Sequence, residues 1–199
     1  MKLQTIGSTV LFCLLAALSG GDFLFIPSDQ AKIPPPQVLA QNPAGPKAEA
    51  DRLLKQGVEQ FQTSQFQAAL QSWQQALIIY REIKDRQSEG KALGNLGIGY
   101  LFLGDYTKVI EYAQQQLAIA REIKDRQGEG KALSNLGGAY LNLGDYAKAI
   151  EYAQQHLAIA RSIKDRQSEG GALGSLGVAY RSLGDYTNFP KPLPHFGGL

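Results

Sequence analysis

An all-α solenoid of antiparallel helix pairs is the fold this 199-residue chain predicts. Three observations carry that expectation. A forty-residue pattern recurs in phase along most of the chain. Within each period, apolar residues fall at helical spacing. A Leu-Gly-Asp-Tyr phrase then breaks each period into two helices. Residues 88–127 and 128–167 differ at nine of forty positions. Internal self-similarity at such a period is the mark of stacked repeats, each too small to bury its own apolar face.

The elements follow in order. Lys2 precedes an apolar run, Val10 to Leu18, and then Ser19, Gly20 and Gly21. A basic start, a short apolar core and small residues describe an export leader over residues 1–21. Cleavage near Ser19–Gly21 fits; a second candidate, after Ala40, would extend the leader to 40. Residues 9–26 also read as an uncleaved membrane anchor of marginal length. Residues 22–46 form a linker rich in proline: Pro27, Pro34, Pro35, Pro36, Pro43 and Pro46.

The repeats occupy residues 47–187, in units of about 47–87, 88–127 and 128–167 and a partial unit at 168–187. Unit one is degenerate but in phase, with Leu53, Gly57, Phe66, Ala69, Trp73 and Ala76. In unit two the first helix buries Leu93, Leu96, Tyr100 and Leu103 on one face. Gly104 supplies the turn, and Asp105 caps a second helix that buries Tyr106, Ile110, Ala113, Leu117 and Ala120. Lys124-Asp125-Arg126-Gln127 is a polar turn into unit three, its charges read as surface caps and ion pairs. Unit three repeats the scheme. Unit four stops after one helix, because Pro190, Pro192 and Pro194 forbid a second. Residues 188–199 read as a disordered tail. The lone helix serves as a cap or marks a longer array cut short.

Composition removes several chemistries. The net charge of +2 offers no footprint for nucleic acid. The single cysteine, Cys13, lies in the leader, and His156 and His195 have no partner at ligand spacing. No catalytic residue, metal ligand or cofactor motif is expected. His156 takes the repeat position of Gln116, which argues for packing or surface. The 22 glycines oppose isolated helices, since an interior glycine costs roughly 0.5–1 kcal/mol against alanine. Fifteen of them fall between Gly90 and Gly184, many at repeated phases. The helices therefore depend on their neighbours.

Leu93, Leu96, Gly97, Tyr100, Tyr106 and Val109, with Leu133, Leu136, Gly137, Tyr140, Tyr146 and Ala149, resemble the tetratricopeptide repeat. The forty-residue period is similar to the long-repeat branch of cell-polarity scaffolds and of bacterial, especially cyanobacterial, arrays. The resemblance implies a right-handed superhelix whose first helices line a concave groove for protein or peptide partners. On that basis the stripe beside the core supplies the candidate site: Lys91, Asn95, Ile98 and Phe102 in unit two, Lys131, Asn135 and Asn142 in unit three, and Ser175 in unit four. A carboxamide both donates and accepts, so Asn95 and Asn135 suit a peptide backbone. The alternative for both is a local bond that fixes helix packing. Lys91 and Lys131 suit an acidic partner or lie on a solvated face.

The expected function is a non-enzymatic protein-interaction scaffold, exported to the periplasm, cell surface or medium or held at a membrane by its leader. Two rivals stand. One is the regulatory front end of a larger protein ending in a caspase-like protease, which the resemblance implies. The other is self-association through Leu173, Leu176 and Tyr180 of the unpaired helix, expected on its outer side.

Overall fold

The computed structural model describes residues 45–184, and they form seven α-helices. These are α1 (Gly45–Gln62), α2 (Phe66–Glu82), α3 (Arg86–Phe102), α4 (Tyr106–Glu122), α5 (Arg126–Asn142), α6 (Tyr146–Ser162) and α7 (Arg166–Leu183). The leader, most of the linker and the tail lie outside the described residues. So does the question of export. Among the described residues no helix is long and apolar enough to cross a membrane.

The helix boundaries are set by the repeated turn chemistry. Asp85, Asp105, Asp125, Asp145 and Asp165 each cap a helix, accepting the backbone N–H three residues on at 2.9–3.1 Å. Each cap satisfies an orphan donor of the first turn, worth about 1 kcal/mol. The preceding residue lies in the left-handed region. Within a hairpin that residue is Gly104 or Gly144, at φ +75° and +77°. Between hairpins it is Lys84, Lys124 or Lys164, each at φ 58°. The turn between units is shorter than the sequence suggests. Arg126 and Gln127 already belong to α5, as Gly45 and Pro46 belong to α1.

Each helix packs on the next along the chain. The first helices of neighbouring units also touch, α3 with α5 and α5 with α7. They therefore crowd one wall of the array. The core is layered by unit: Leu93, Leu96, Leu133, Leu136 and Leu176 are almost fully buried, and Trp73 fills the space over Gly57. A Cβ at Gly137 would stand in ordinary contact with the α6 backbone, 3.6 Å from the Ala149 carbonyl and the Ala153 nitrogen.

Two expectations are corrected. Leu103 is 41% exposed, because α3 ends at Phe102 and Leu103 is its C-cap. Leu176 and Tyr180 do not lie on an outer face. They are buried against α6 with Ala153 and Leu157, and Leu173 packs partly on the same cluster. The cap helix uses the same face as α3 and α5. At the unit junctions the ion pairs reach inward from the polar turns. Glu89, Glu129 and Glu169 are buried, each held by two arginines: Arg81 and Arg86, Arg121 and Arg126, Arg161 and Arg166. The Arg161 and Arg166 bonds hold the Glu169 carboxyl below its ordinary range.

Candidate peptide groove

The wall formed by α3 and α5, closed below by the second half of α4, encloses a groove of about 600 Å³. Glycine opens it. Gly90, Gly94 and Gly128 contribute no side chain, and a Cβ at Gly94 would lie 2.7 Å from the Gln116 amide nitrogen.

The groove brings together five of the eight candidate residues: Lys91, Asn95, Ile98, Lys131 and Asn135. Lys91 and Lys131 are exposed and, among the described residues, form no ion pair. The Asn95 and Asn135 side chains are half-buried and make no hydrogen bond to the described residues. Ile98 is 38% exposed and provides an apolar wall. Asp125 is the one carboxylate of the lining, and its Oδ1 is engaged by the Gly128 N–H at 2.9 Å.

The other three candidates lie elsewhere. Phe102 sits against Phe61 and Phe66, with ring centroids at 4.9 and 5.7 Å, in an aromatic cluster at the hairpin turns. Asn142 donates to the Gly138 carbonyl at 2.8 Å and accepts from the Tyr106 hydroxyl at 3.2 Å. Ser175 donates to the Gly171 carbonyl at 3.1 Å. The last two are satisfied within the fold.

The sequence pattern does not select the groove floor. Gln116, on α4, is 5% exposed, and its Oε1 has no hydrogen-bond partner among the described residues. Its equivalent His156 is also buried, at 7%, which resolves its position as packing. Burial pushes the His156 imidazole below its usual value, and Asp165 opposes that in part. The space beside His156 is only about 30 Å³. The signal for Gln116 is a polar residue at a core phase where unit one has Ala76. Tyr100 and Tyr140 stack on Tyr112 and Tyr152, centroids 5.5 Å apart, at the edge of the core. Among the described residues no group of three His, Cys, Asp or Glu is placed to hold a metal.

Comparison with known proteins places this geometry. A signal transduction ATPase with numerous domains from Pyrococcus horikoshii, which carries a tetratricopeptide repeat sensor, is 27% identical with a TM-score of 0.64. The match covers 67% of this chain and 21% of that one. The tetratricopeptide repeat domain of Arabidopsis FLU is 26% identical, with a TM-score of 0.57 over 59% of this chain and 98% of that domain. BtubC from P. vanneervenii shares the fold at 18% identity and a TM-score of 0.66, over 71% of this chain; the chain spans 59% of BtubC. No curated protein matches the sequence. The tetratricopeptide repeat pattern matches residues 49–122 and 128–188. With helix pairs, caps and core in the register of that pattern, the chain belongs to the tetratricopeptide repeat family.

Proposed function

We propose that this chain is a non-enzymatic scaffold that holds an extended segment of a partner protein in the groove between α3 and α5. The tetratricopeptide repeat is a protein-interaction module, and a groove between its first helices supports this reading. One observation carries the reading: Asn95 and Asn135, one period apart on adjacent walls of one groove, leave both carboxamides without a hydrogen bond to the described residues. A carboxamide can meet a backbone N–H and C=O whatever the peptide sequence. Spacing by one unit presents two such contacts along an extended chain. Ile98 adds apolar contact, and the unpaired Lys91 and Lys131 favour a partner with negative charge.

The test uses a displayed library of random dodecapeptides selected on the full chain. Replacing Asn95 and Asn135 together with alanine should weaken the selected peptides at least tenfold, about 1.4 kcal/mol, with far-UV helicity unchanged. Undiminished affinity, or a library that yields no binders, overturns the groove.

A further inference from the structure

An exposed aromatic platform lies beside the groove, at the hairpin turns of units one and two. Among the described residues Phe102 is the most exposed large apolar side chain, at 63%. Its ring meets Phe61 edge-on at 4.9 Å and stacks on Phe66 at 5.7 Å. Phe61 in turn packs on Trp73, with centroids 5.7 Å apart, and so on the core. The cluster is therefore anchored from beneath while Phe102 faces water. Val58, three residues before Phe61 on α1, and Ile98, one turn before Phe102 on α3, are exposed as well. Single exposed apolar side chains are ordinary, whereas a contiguous patch marks an interaction surface.

Joining the hairpins does not demand this exposed ring. One unit on, the corresponding positions hold Ile98, Leu101, Tyr106, Gly138 and Asn142. There the Phe66–Phe102 stack is replaced by a hydrogen bond, donated by the Tyr106 hydroxyl to Asn142 Oδ1 at 3.2 Å. Neighbouring hairpins are tied at that place without presenting an aromatic ring to solvent.

The platform also continues the groove. Lys91, Asn95, Ile98 and Phe102 follow one another at spacings of four, three and four along one face of α3. Ile98 itself lines the groove. The wall thus changes from cation to amide to hydrocarbon along its length. The side chains of Val58, Phe61, Phe66, Ile98 and Phe102 carry no polar atom, so their complement is apolar. Aromatic clusters grow by edge-on or offset packing at centroid distances of roughly 4.5–7 Å, the geometry these rings already use.

We propose that this platform seats one aromatic side chain of the partner segment, as a second anchor outside the groove. The inference rests on the groove being the partner site. Phe102 lies seven residues past Asn95, about 10 Å along α3. About three extended residues cover that distance. The aromatic residue therefore stands about three positions from the stretch that Asn95 meets. With its apolar anchor at one end, the segment lies along the groove in one direction only.

The experiment uses the dodecapeptides selected on the full chain from the displayed random library. The selected sequences should share one Phe, Tyr or Trp at a fixed place. Replacing that residue with alanine in the synthetic peptide should weaken binding at least tenfold. Phe102→Asn, which installs the residue of unit three, should weaken the aromatic peptide equally and leave the alanine peptide unaffected. Selected peptides without a shared aromatic residue overturn the proposal, as does undiminished affinity for a folded Phe102→Asn variant. Should that variant not fold, nuclear Overhauser contacts between the peptide ring and the Phe102 ring of the native chain decide, and their absence overturns the proposal. Binding that falls with Asn95 and Asn135 replaced by alanine but not with Phe102→Asn defeats the aromatic seat and leaves the groove standing. The converse defeats the role of the asparagines and supports the seat. A barren library defeats both.

Discussion

The joint between units two and three and the joint between units three and four are built to one plan, yet the first encloses a far larger groove. Both have an aspartate cap, a left-handed lysine and a buried glutamate held by two arginines. They differ at a few side chains. Gly94 with Gln116 leaves about 600 Å³, and Ser134 with His156 leaves about 30 Å³. Unit one shows a third solution at the same phase, Leu54 with Ala76. The backbone plan carries stability, while one facing pair decides whether a joint is packed or open.

The strongest way to break the comparison is to import the packed pairing. Gly94→Leu places a unit-one side chain where Gln116 already lies 2.7 Å from an added Cβ. It should destabilise the chain by about 1–3 kcal/mol through overpacking and eliminate peptide binding. Adding Gln116→Ala recreates the Leu54–Ala76 pair. It should restore most of the stability but none of the binding, a coupling that denaturant melts of the two single variants and the double variant would measure. Additive losses would show that the two positions do not share space.

A smaller effect sharpens the same contrast. Gln116→Leu replaces an unbonded buried amide by an apolar side chain of similar size. The variant should gain roughly 1 kcal/mol, since an orphaned polar group no longer needs to be buried. A calorimetric scan would register the gain as a higher melting temperature, about 2–4 °C for a chain of this length. A lower melting temperature would mean that Gln116 contributes to packing and not to an open site.

The smallest effect concerns His156. Its folded-state value lies below the unfolded one of about 6.5, so the unfolded chain binds the proton more readily. Stability is therefore full above about pH 6.5 and falls as the pH drops below it. His156→Gln should flatten that decline between pH 7 and pH 5 by roughly 1 kcal/mol or less. An identical decline in the variant would assign the acid sensitivity to other groups.

The repeat makes much of this architecture legible in advance. Period and phase locate the aspartate caps, the glycine turns and the leucine core, because each is written several times in the same frame. Residues whose role depends on a neighbour are harder to place. Nothing local shows that arginines from two helices will enclose Glu89, Glu129 and Glu169. Leu176 and Tyr180 fall on the wrong side in the sequence reading because the pattern identifies an apolar face without naming the helix that covers it. Among the site residues, Asn95, Asn135, Lys91, Lys131 and Ile98 share a stripe that periodicity reveals. Asn142 and Ser175 share it too, yet they bond within their own array. Gln116 escapes because it reaches the groove from the second helix, through a gap that exists only where Gly94 faces it.

The junction between units has a consequence for how such a chain changes length. Every hairpin from α3 onward opens with the same capped arginine and buried glutamate, and α2, α4 and α6 each carry the arginine that completes the next clamp. The junction works as a standard coupling that does not register which unit lies on either side. With 31 of forty residues shared by units two and three, a whole unit can be gained or lost with no new interface to invent.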